Sequence, residues 1–310
     1  MQFPAHCQRR RRFCKALRGG CALSEYIIYT DSACDVAPEL LKEWGVKYQN
    51  LTFHFEGEDR EYQNEEMAPA EFYARMRAGQ IAKTAAINVE TFKAAFEAEL
   101  KEGRDVLYLG FSSGLSNTSN AAQLAANELS ELYPERKLIV IDTLCASAGQ
   151  GLLLYLTVQK RNEGATIDEA ADYAREQIPH QCHWFTVDDL MFLKRGGRVS
   201  PAVALIGTML NIKPVMHVDD EGHLIKVSQA RGRKASLKAI AEQYDALALT
   251  PDQGTVFICH GDCMDDAQRL AGMIRDKHGV EVKLITYTGT VIGAHSGPGT
   301  LALFFLGKHR

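Results

Sequence analysis

The chain lacks any long apolar run. Its most apolar stretches are "LLLYL" at 152–156 and "LALFFL" at 301–306, whereas a transmembrane helix needs roughly 18 to 20 consecutive apolar residues. The composition, with 46% hydrophobic and 24% charged residues, is that of an ordinary globular protein and excludes fibrous and wholly disordered chains. We therefore expect a cytoplasmic protein that makes at most transient contact with a membrane.

Cysteine patterns of the disulfide or metal type are also lacking. The eight cysteines show no spacing of the kind that small disulfide-bonded proteins use, so we expect reduced thiols. The nearest approach to a metal motif is "CHGDC", from Cys259 to Cys263. Because no second pair of ligands accompanies it, the sequence predicts neither a bound metal nor a cofactor.

Acidic residues are missing from the first twenty positions, "MQFPAHCQRRRRFCKALRGG", although the whole chain has a formal charge of −4. This segment lacks the apolar core of a secretory signal. We interpret residues 1–23 as a disordered basic tail, for example an extension from an upstream start site, and leave it out of the fold. An arm for nucleic acid or anionic lipid is the alternative. Nucleic-acid binding is not expected, because the rest of the chain is acidic and aromatic residues do not interleave the cations.

A polar bend, "FSSGLSNTS", lies between the apolar run Val106 to Gly110 and the helical pattern of Asn120 to Leu132. Ligands of open α/β sheets bind at the carboxyl ends of strands, and the N–H groups of the following helix favour an anion there. The bend lacks the lysine of a phosphate loop and a complete dinucleotide fingerprint. It therefore indicates a site for another kind of anion. Alternatively, its polar residues only cap the helix.

Strand and helix patterns alternate along the first half of the chain, which predicts a parallel sheet covered on both faces. A hairpin-like pair is predicted around "VKYQNLTFHFEGEDREY". The pattern changes at Pro179, after which the hairpin "KPVMHVDDEGHLIKVSQA" indicates a mixed sheet. We predict a two-domain α/β protein with a three-layer α/β/α N-terminal domain at 24–178, whose sheet is mainly parallel, and an α/β C-terminal domain at 179–310.

Five stretches of the chain, in this order, resemble the DegV family. They are "YTDSACDVAPELLKEWGV", "SSGLSNTSNAA", "LMFLKRGGRVS", "LNIKPVM" and "GTVIGAHSGPGTLALFF", and they span about Tyr26 to Phe305. The resemblance implies a two-domain fold that binds one long-chain fatty acid in a tunnel between its domains. It also implies a bacterial lipid-binding carrier without enzymatic activity of its own. A separate ATP-dependent fatty acid kinase subunit would convert the bound acid to an acyl phosphate for phospholipid synthesis.

The resemblance also implies which residues bind the fatty-acid carboxylate: Thr84, Ser112, Ser113, Ser116 and His295. Thr84 matches the first residue of a Thr-Ser pair whose serine is Ala85 here. Asn117 stands where the bend of the family has glycine, and asparagine tolerates a left-handed backbone better than most residues.

Hydroxyl and N–H donors suit a buried carboxylate, because they satisfy its oxygens without neutralising its charge. We expect Thr84 and Ser113 to hold the carboxylate. His295, with an ordinary pKa near 6.5, would add a hydrogen bond or share the proton beside the acyl oxygen that the kinase phosphorylates. A structural histidine bonded to a backbone carbonyl is the alternative. Candidates for an apolar tunnel, which are equally typical of a simple core, are Met209, Leu210, Ile212, Phe304 and Phe305.

Positive charge clusters in "LKRGGRVS" and "QARGRKAS". Arg198 and Arg231 are candidates for contact with an acidic partner surface or with the transferred phosphoryl group. Alternatively, these loop cations are solvated and cap helix ends.

Two other functions compete with a carrier. Ser113, His295 and Asp31 or Asp142 have the residue types of a hydrolase triad. A binder of another small anionic metabolite is the second competing function.

Overall fold

The computed structural model describes residues 26–200 and 211–310. Its strands are β1 (Tyr26–Asp31), β2 (Val46–Gln49), β3 (Thr52–Phe55), β4 (Tyr62–Gln63), β5 (Ala82–Ala85), β6 (Asp105–Gly110), β7 (Leu138–Asp142), β8 (Gln181–Thr186), β9 (Ile212–Val218), β10 (Leu224–Arg231), β11 (Phe257–His260), β12 (Leu284–Tyr287) and β13 (Leu301–Leu306). The helices are α1 (Pro38–Glu43), α2 (Pro69–Arg77), α3 (Val89–Lys101), α4 (Thr118–Leu132), α5 (Ala148–Asn162), α6 (Ile167–Gln177), α7 (Leu190–Arg195), α8 (Arg233–Leu247), α9 (Met264–His278) and α10 (Thr290–Ser296). The basic tail and the segment 201–210, which includes Met209 and Leu210, lie outside the described residues.

The first half of the chain builds a parallel sheet in the order β2-β1-β6-β7. All six residues of β6 are buried. Val106 and Tyr108 pack into one hydrophobic cluster, whereas Leu107 and Leu109 pack into another on the opposite face. This alternation explains why the strand reads as a continuous apolar run, and it confirms the prediction of a sheet covered on both faces.

The second half builds a six-stranded mixed sheet in the order β10-β9-β8-β13-β11-β12. The predicted hairpin is confirmed, because β9 and β10 pair in antiparallel fashion from Leu224↔Val218 to Arg231↔Ile212. Only β11 and β12 pair in parallel within this sheet. The α/β fold class, with one parallel and one mixed sheet, is therefore as predicted.

The hairpin predicted around residues 46–62 is wrong in part. β2 joins the parallel sheet beside β1, with Val46 opposite Ile28. β3 instead belongs to a separate antiparallel sheet in the order β4-β3-β5. The reason is topological, because α1 carries the chain across the sheet and returns it parallel to β1, as in any βαβ unit. Within residues 46–63, β3 and β4 form the hairpin.

The predicted domain boundary falls at a 3₁₀ turn, Ile178–His180, between α6 and β8, and stays a prediction. No helix of residues 26–200 and 211–310 is long and apolar enough to cross a membrane.

Candidate functional site

A cavity of about 160 Å³ lies between residues from the two halves of the chain. Thr84 from β5, Leu115 and Ser116 from the bend after β6, and Ala146 before α5 line one side. Residues of the second half that line it include Phe185, Leu193, Arg198, Val218, Leu224, Cys259, Ala302, Phe304 and His295. Most of this surface is apolar, and Thr84, Ser116, Arg198 and His295 are among its polar lining residues.

Thr84 and His295 form a direct hydrogen bond. Oγ1 of Thr84 lies 2.8 Å from Nε2 of His295. β5 presents Thr84 opposite Phe53 of β3, and α10 presents His295 near its carboxyl end. A Cβ added at Gly196 would lie only 2.1 Å from Nδ1 of His295. The glycine therefore lets the backbone after α7 approach the imidazole from its other side.

The imidazole of His295 is uncharged at neutral pH. Burial, and then the nearby guanidinium of Arg198, lower its pKa from 6.5 to about 4. His295 therefore acts in this site as a neutral hydrogen-bonding group, since the proton that would charge it is held too weakly at pH 7.

Arg198 supplies the positive charge of the site. Its Nε and Nη2 donate to the carbonyl oxygen of Leu115 at 3.2 and 2.9 Å, and Nη1 donates to the carbonyl oxygen of Gly196. Burial lowers the pKa of its guanidinium, but an arginine stays charged in proteins. Arg198 thus ties the bend to the backbone after α7 and places a half-buried cation beside His295. An anion would be stabilised there.

Thr84, Arg198 and His295 line a second, outer cleft as well as the inner cavity. Lys83, Arg195 and Glu56 also line this outer cleft. Nζ of Lys83 lies 2.8 Å from Oε1 of Glu56. The three shared residues, which we call the polar triplet, therefore lie between an apolar cavity and a charged cleft. An anion bound by them would be reachable from the outer cleft.

A sequence profile described as "Uncharacterised protein, DegV family" matches residues 26–308. The chain belongs to the DegV family. A DegV domain-containing protein of Clostridium perfringens is 42% identical over 92% of this chain and 98% of its own length. Among solved structures, a DegV family protein from Thermus thermophilus, described as fatty acid binding, has a TM-score of 0.82 at 30% identity and covers 91% of this chain and 99% of its own. DegV of Bacillus subtilis, described as a fatty acid binding protein, has a TM-score of 0.78 at 25% identity over 92% and 99%.

In this DegV chain, two of the predicted serines do not point into the cavity. Ser113 is exposed, and its peptide N–H donates to the carboxylate of Asp142 at 3.1 Å. The hydroxyl of Ser112 is buried and donates to the carbonyl oxygen of Gly222 at 2.9 Å. Neither is among the described residues that line the cavity. The structure brings Thr84, Ser116 and His295 together and leaves these two serines out, because both anchor the bend to neighbouring loops.

Ser116 and Asn117 line the cavity at the start of α4. Oγ of Ser116 lies 2.9 Å from Oγ1 of Thr118 and accepts from the Thr118 N–H at 3.3 Å, so Ser116 also caps the helix. Asn117 has φ −77° and ψ 5°. The substitution of glycine by asparagine therefore creates no strain, and a left-handed backbone is not needed at this position.

A buried acid holds the bend in place. Oδ2 of Asp31, at the end of β1, accepts from the hydroxyl of Tyr108 at 2.6 Å and from the N–H of Phe111 at 2.9 Å. Burial raises the pKa of Asp31, and these hydrogen bonds oppose the rise. Asp31 therefore has a structural part here. The hydrolase triad is not assembled, since Nε2 of His295 is bonded to Thr84 and Ser113 faces solvent.

The tunnel candidates divide by strand face. Phe304 lines the cavity, whereas Phe305 packs with the opposite cluster because successive side chains of β13 alternate. Ile212 is half-buried on β9 and is not among the lining residues that the structure describes. Sequence reasoning missed Phe185, Val291 and Ile292. The apolar alternation of "HWFTV" carried a signal for Phe185 alone.

Arg231 does not reach this site. It is exposed at the end of β10, opposite Ile212. No group of three or more His, Cys, Asp or Glu side chains within residues 26–200 and 211–310 is arranged to hold a metal ion.

Proposed function

We propose that this chain binds one long-chain fatty acid, with the acyl chain in the inner cavity and the carboxylate at Thr84, His295 and Arg198. The observation that carries the proposal is the position of the polar triplet, Thr84, Arg198 and His295, between an apolar cavity and an outer charged cleft. The fatty acid binding described for the family proteins of Thermus thermophilus and Bacillus subtilis supports it. A small anionic metabolite would leave the apolar surface of the cavity unused.

We further propose that the chain is a carrier and that a separate ATP-dependent kinase subunit phosphorylates the bound acid. The outer cleft gives such a partner a route to the carboxylate oxygen. Lys83 and Arg195 line that route and provide positive charge for a phosphoryl group in transfer. The neutral imidazole of His295 donates or accepts a single hydrogen bond and leaves the carboxylate free to act as the nucleophile.

Binding is tested by titrating delipidated protein with stearic and oleic acids, and with acetate and citrate as anions without an acyl chain. The proposal expects saturable one-to-one binding of a long-chain acid and none of the short anions. Equal binding of citrate would favour the alternative of a small-metabolite binder.

The proposed role as a carrier is tested by adding ATP and a bacterial fatty acid kinase subunit to the fatty-acid-loaded protein and trapping acyl phosphate with hydroxylamine. The proposal expects acyl hydroxamate only when all three components are present. Hydrolysis of ester substrates by the chain alone, with an active-serine probe on Ser113, would favour the hydrolase instead.

A further inference from the structure

The apolar cavity has a second set of polar lining residues besides the polar triplet. Ser147, His183, Cys259 and Thr288 all line the cavity and all are at most 5% exposed. We call these four residues the inner polar wall. A plain hydrocarbon chain has no group that could form a hydrogen bond with any of them.

The registers of the mixed sheet place the inner polar wall part-way along the cavity. Cys259 lies opposite Ala302 and His183 lies opposite Phe304 on the two sides of β13. Thr300, just before that strand, donates to the carbonyl oxygen of Ser296, the neighbour of His295. Four residues of extended chain from Thr300 to Phe304 span roughly 13 Å. His183 therefore lies beside the path of an acyl chain at about this distance from Thr300, whereas Cys259 lies opposite a residue only two positions from Thr300.

The first turn of α5 gathers these residues into one patch. Oγ of Ser147 lies 3.1 Å from Sγ of Cys259. Two residues further on, a Cβ added at Gly149 would lie 2.1 Å from Nε2 of His183. Nε2 of His183 therefore faces the same helical turn that carries Ser147.

Hydrogen bonds occupy both hydroxyl donors of the wall and leave one acceptor, Nε2 of His183, without a donor in the described part of the chain. The hydroxyl of Ser147 donates to Asp35, and the hydroxyl of Thr288 donates to Sγ of Cys259 at 3.1 Å. Nδ1 of His183 lies 3.1 Å from the carbonyl oxygen of Gln181, so this nitrogen carries the proton. Nε2 of His183 is then an acceptor, and it is buried without a partner among residues 26–200 and 211–310. Burial also keeps the pKa of His183 well below its ordinary value.

An unpaired acceptor in the cavity lining favours a ligand that can donate a hydrogen bond to it. We propose that the cavity takes an acyl chain that carries a hydroxyl group part-way along its length, and that this hydroxyl donates to the inner polar wall at His183. This inference rests on the proposed fatty acid binding and adds the class of chain that the site prefers. Pairing a buried acceptor that would otherwise stay unsatisfied favours the hydroxylated chain.

The test is a competition titration of stearic acid against stearic acids that carry one hydroxyl at successive positions along the chain. Wild-type protein is expected to bind one positional isomer roughly tenfold more tightly than stearic acid. His183→Phe, which keeps an aromatic ring beside Phe304, is expected to lose this preference, measured as the ratio of its affinities for the hydroxylated acid and for stearic acid. Thr288→Val is expected to weaken the preference. Thr286→Val, which lies two residues earlier on β12 and outside the described cavity lining, is the matched control and retains the preference.

Equal binding of stearic acid and every isomer by the wild type would overturn the hydroxyl inference and leave the fatty acid proposal standing. Preference that persists in both His183→Phe and Thr288→Val would overturn it too. Failure of the wild type to bind any of these acids would overturn both proposals.

Discussion

Thr84 and His295 are 211 residues apart in the chain, and their side chains meet at 2.8 Å. The bond joins a strand of the small antiparallel sheet to a short helix of the second half. A fatty acid carboxylate at this point would accept a hydrogen bond from the Thr84 hydroxyl. Substitutions in this pair therefore test the proposed site most directly.

Replacing Thr84 by valine removes the hydroxyl and keeps the side-chain volume. We expect the affinity for a long-chain fatty acid to fall by roughly tenfold to a hundredfold, since hydrogen bonds to charged groups contribute about 1.5 to 3 kcal/mol. Calorimetric titration of delipidated protein measures this effect. Ser113→Ala is the matched control, because Ser113 lies outside the described cavity lining, and it is expected to bind as the wild type does. Weaker binding by Ser113→Ala alone would contradict the site.

The titration of His295 reports on the charge of its surroundings. In the ligand-free protein its pKa is about 4, because burial and then Arg198 disfavour the imidazolium. A bound carboxylate favours the imidazolium, so loading with fatty acid is expected to raise this pKa. Arg198→Gln is expected to raise the pKa in the ligand-free protein by removing the nearby cation.

Nuclear magnetic resonance of the imidazole protons follows both changes. A pKa that is the same with and without ligand would place the carboxylate elsewhere. His295→Ala is expected to impair acyl-phosphate formation more than fatty acid binding, since Thr84 and Arg198 remain to hold the carboxylate.

Gly196 is small because His295 needs the space. Alanine at this position would put its Cβ 2.1 Å from Nδ1 of the imidazole. We expect Gly196→Ala to displace His295 and to weaken fatty acid binding. Gly197→Ala is an informative control, because Gly197 has φ 72° but nothing within 4 Å of its added Cβ. That variant is expected to lose about 1 kcal/mol of stability and no affinity. Binding is measured by titration and stability by a denaturant melt. Unchanged affinity in Gly196→Ala together with weaker binding in Gly197→Ala would contradict this explanation of Gly196.

Asp35 makes the stability of the fold depend on pH. Burial raises the pKa of its carboxyl from an ordinary value of 3.8 to about 7. Between these values the folded chain keeps a proton that the unfolded chain has lost, so raising the pH from about 4 to about 7 lowers the free energy of unfolding. The loss attributable to Asp35 is at most about 4 kcal/mol.

Asp35→Asn removes this titration and suits the backbone, because asparagine tolerates the left-handed φ of 51° at this position. Urea melts of both proteins across this pH range measure the difference. Stability of the wild type is expected to fall relative to Asp35→Asn as the pH rises. Identical pH dependence of the two proteins would show that Asp35 ionises freely in the fold.

Local patterns predicted the elements, and long-range packing decided the rest. The run Val106 to Gly110 and the helical spacing after Asn120 lie within β6 and α4, because periodicity is a property of neighbouring residues. The partner of β2 depends on the crossover through α1, which no residue of β2 encodes.

The site shows the same division between local and distant information. Hydroxyl residues in the bend were visible in the sequence, but which of them face the cavity depends on the distant Gly222 and Asp142, to which Ser112 and Ser113 bind. The nearness of Gly196 to His295 and the inner polar wall likewise come from contacts between distant segments. Sequence patterns do not carry such contacts.

The central claim is tested most directly by extracting purified protein under denaturing conditions and identifying the released lipids by mass spectrometry. The account predicts one long-chain fatty acid per chain in near-stoichiometric amount from wild-type protein, and less from Thr84→Val. An empty extract, followed by no binding when delipidated protein is titrated with free fatty acids, would contradict it.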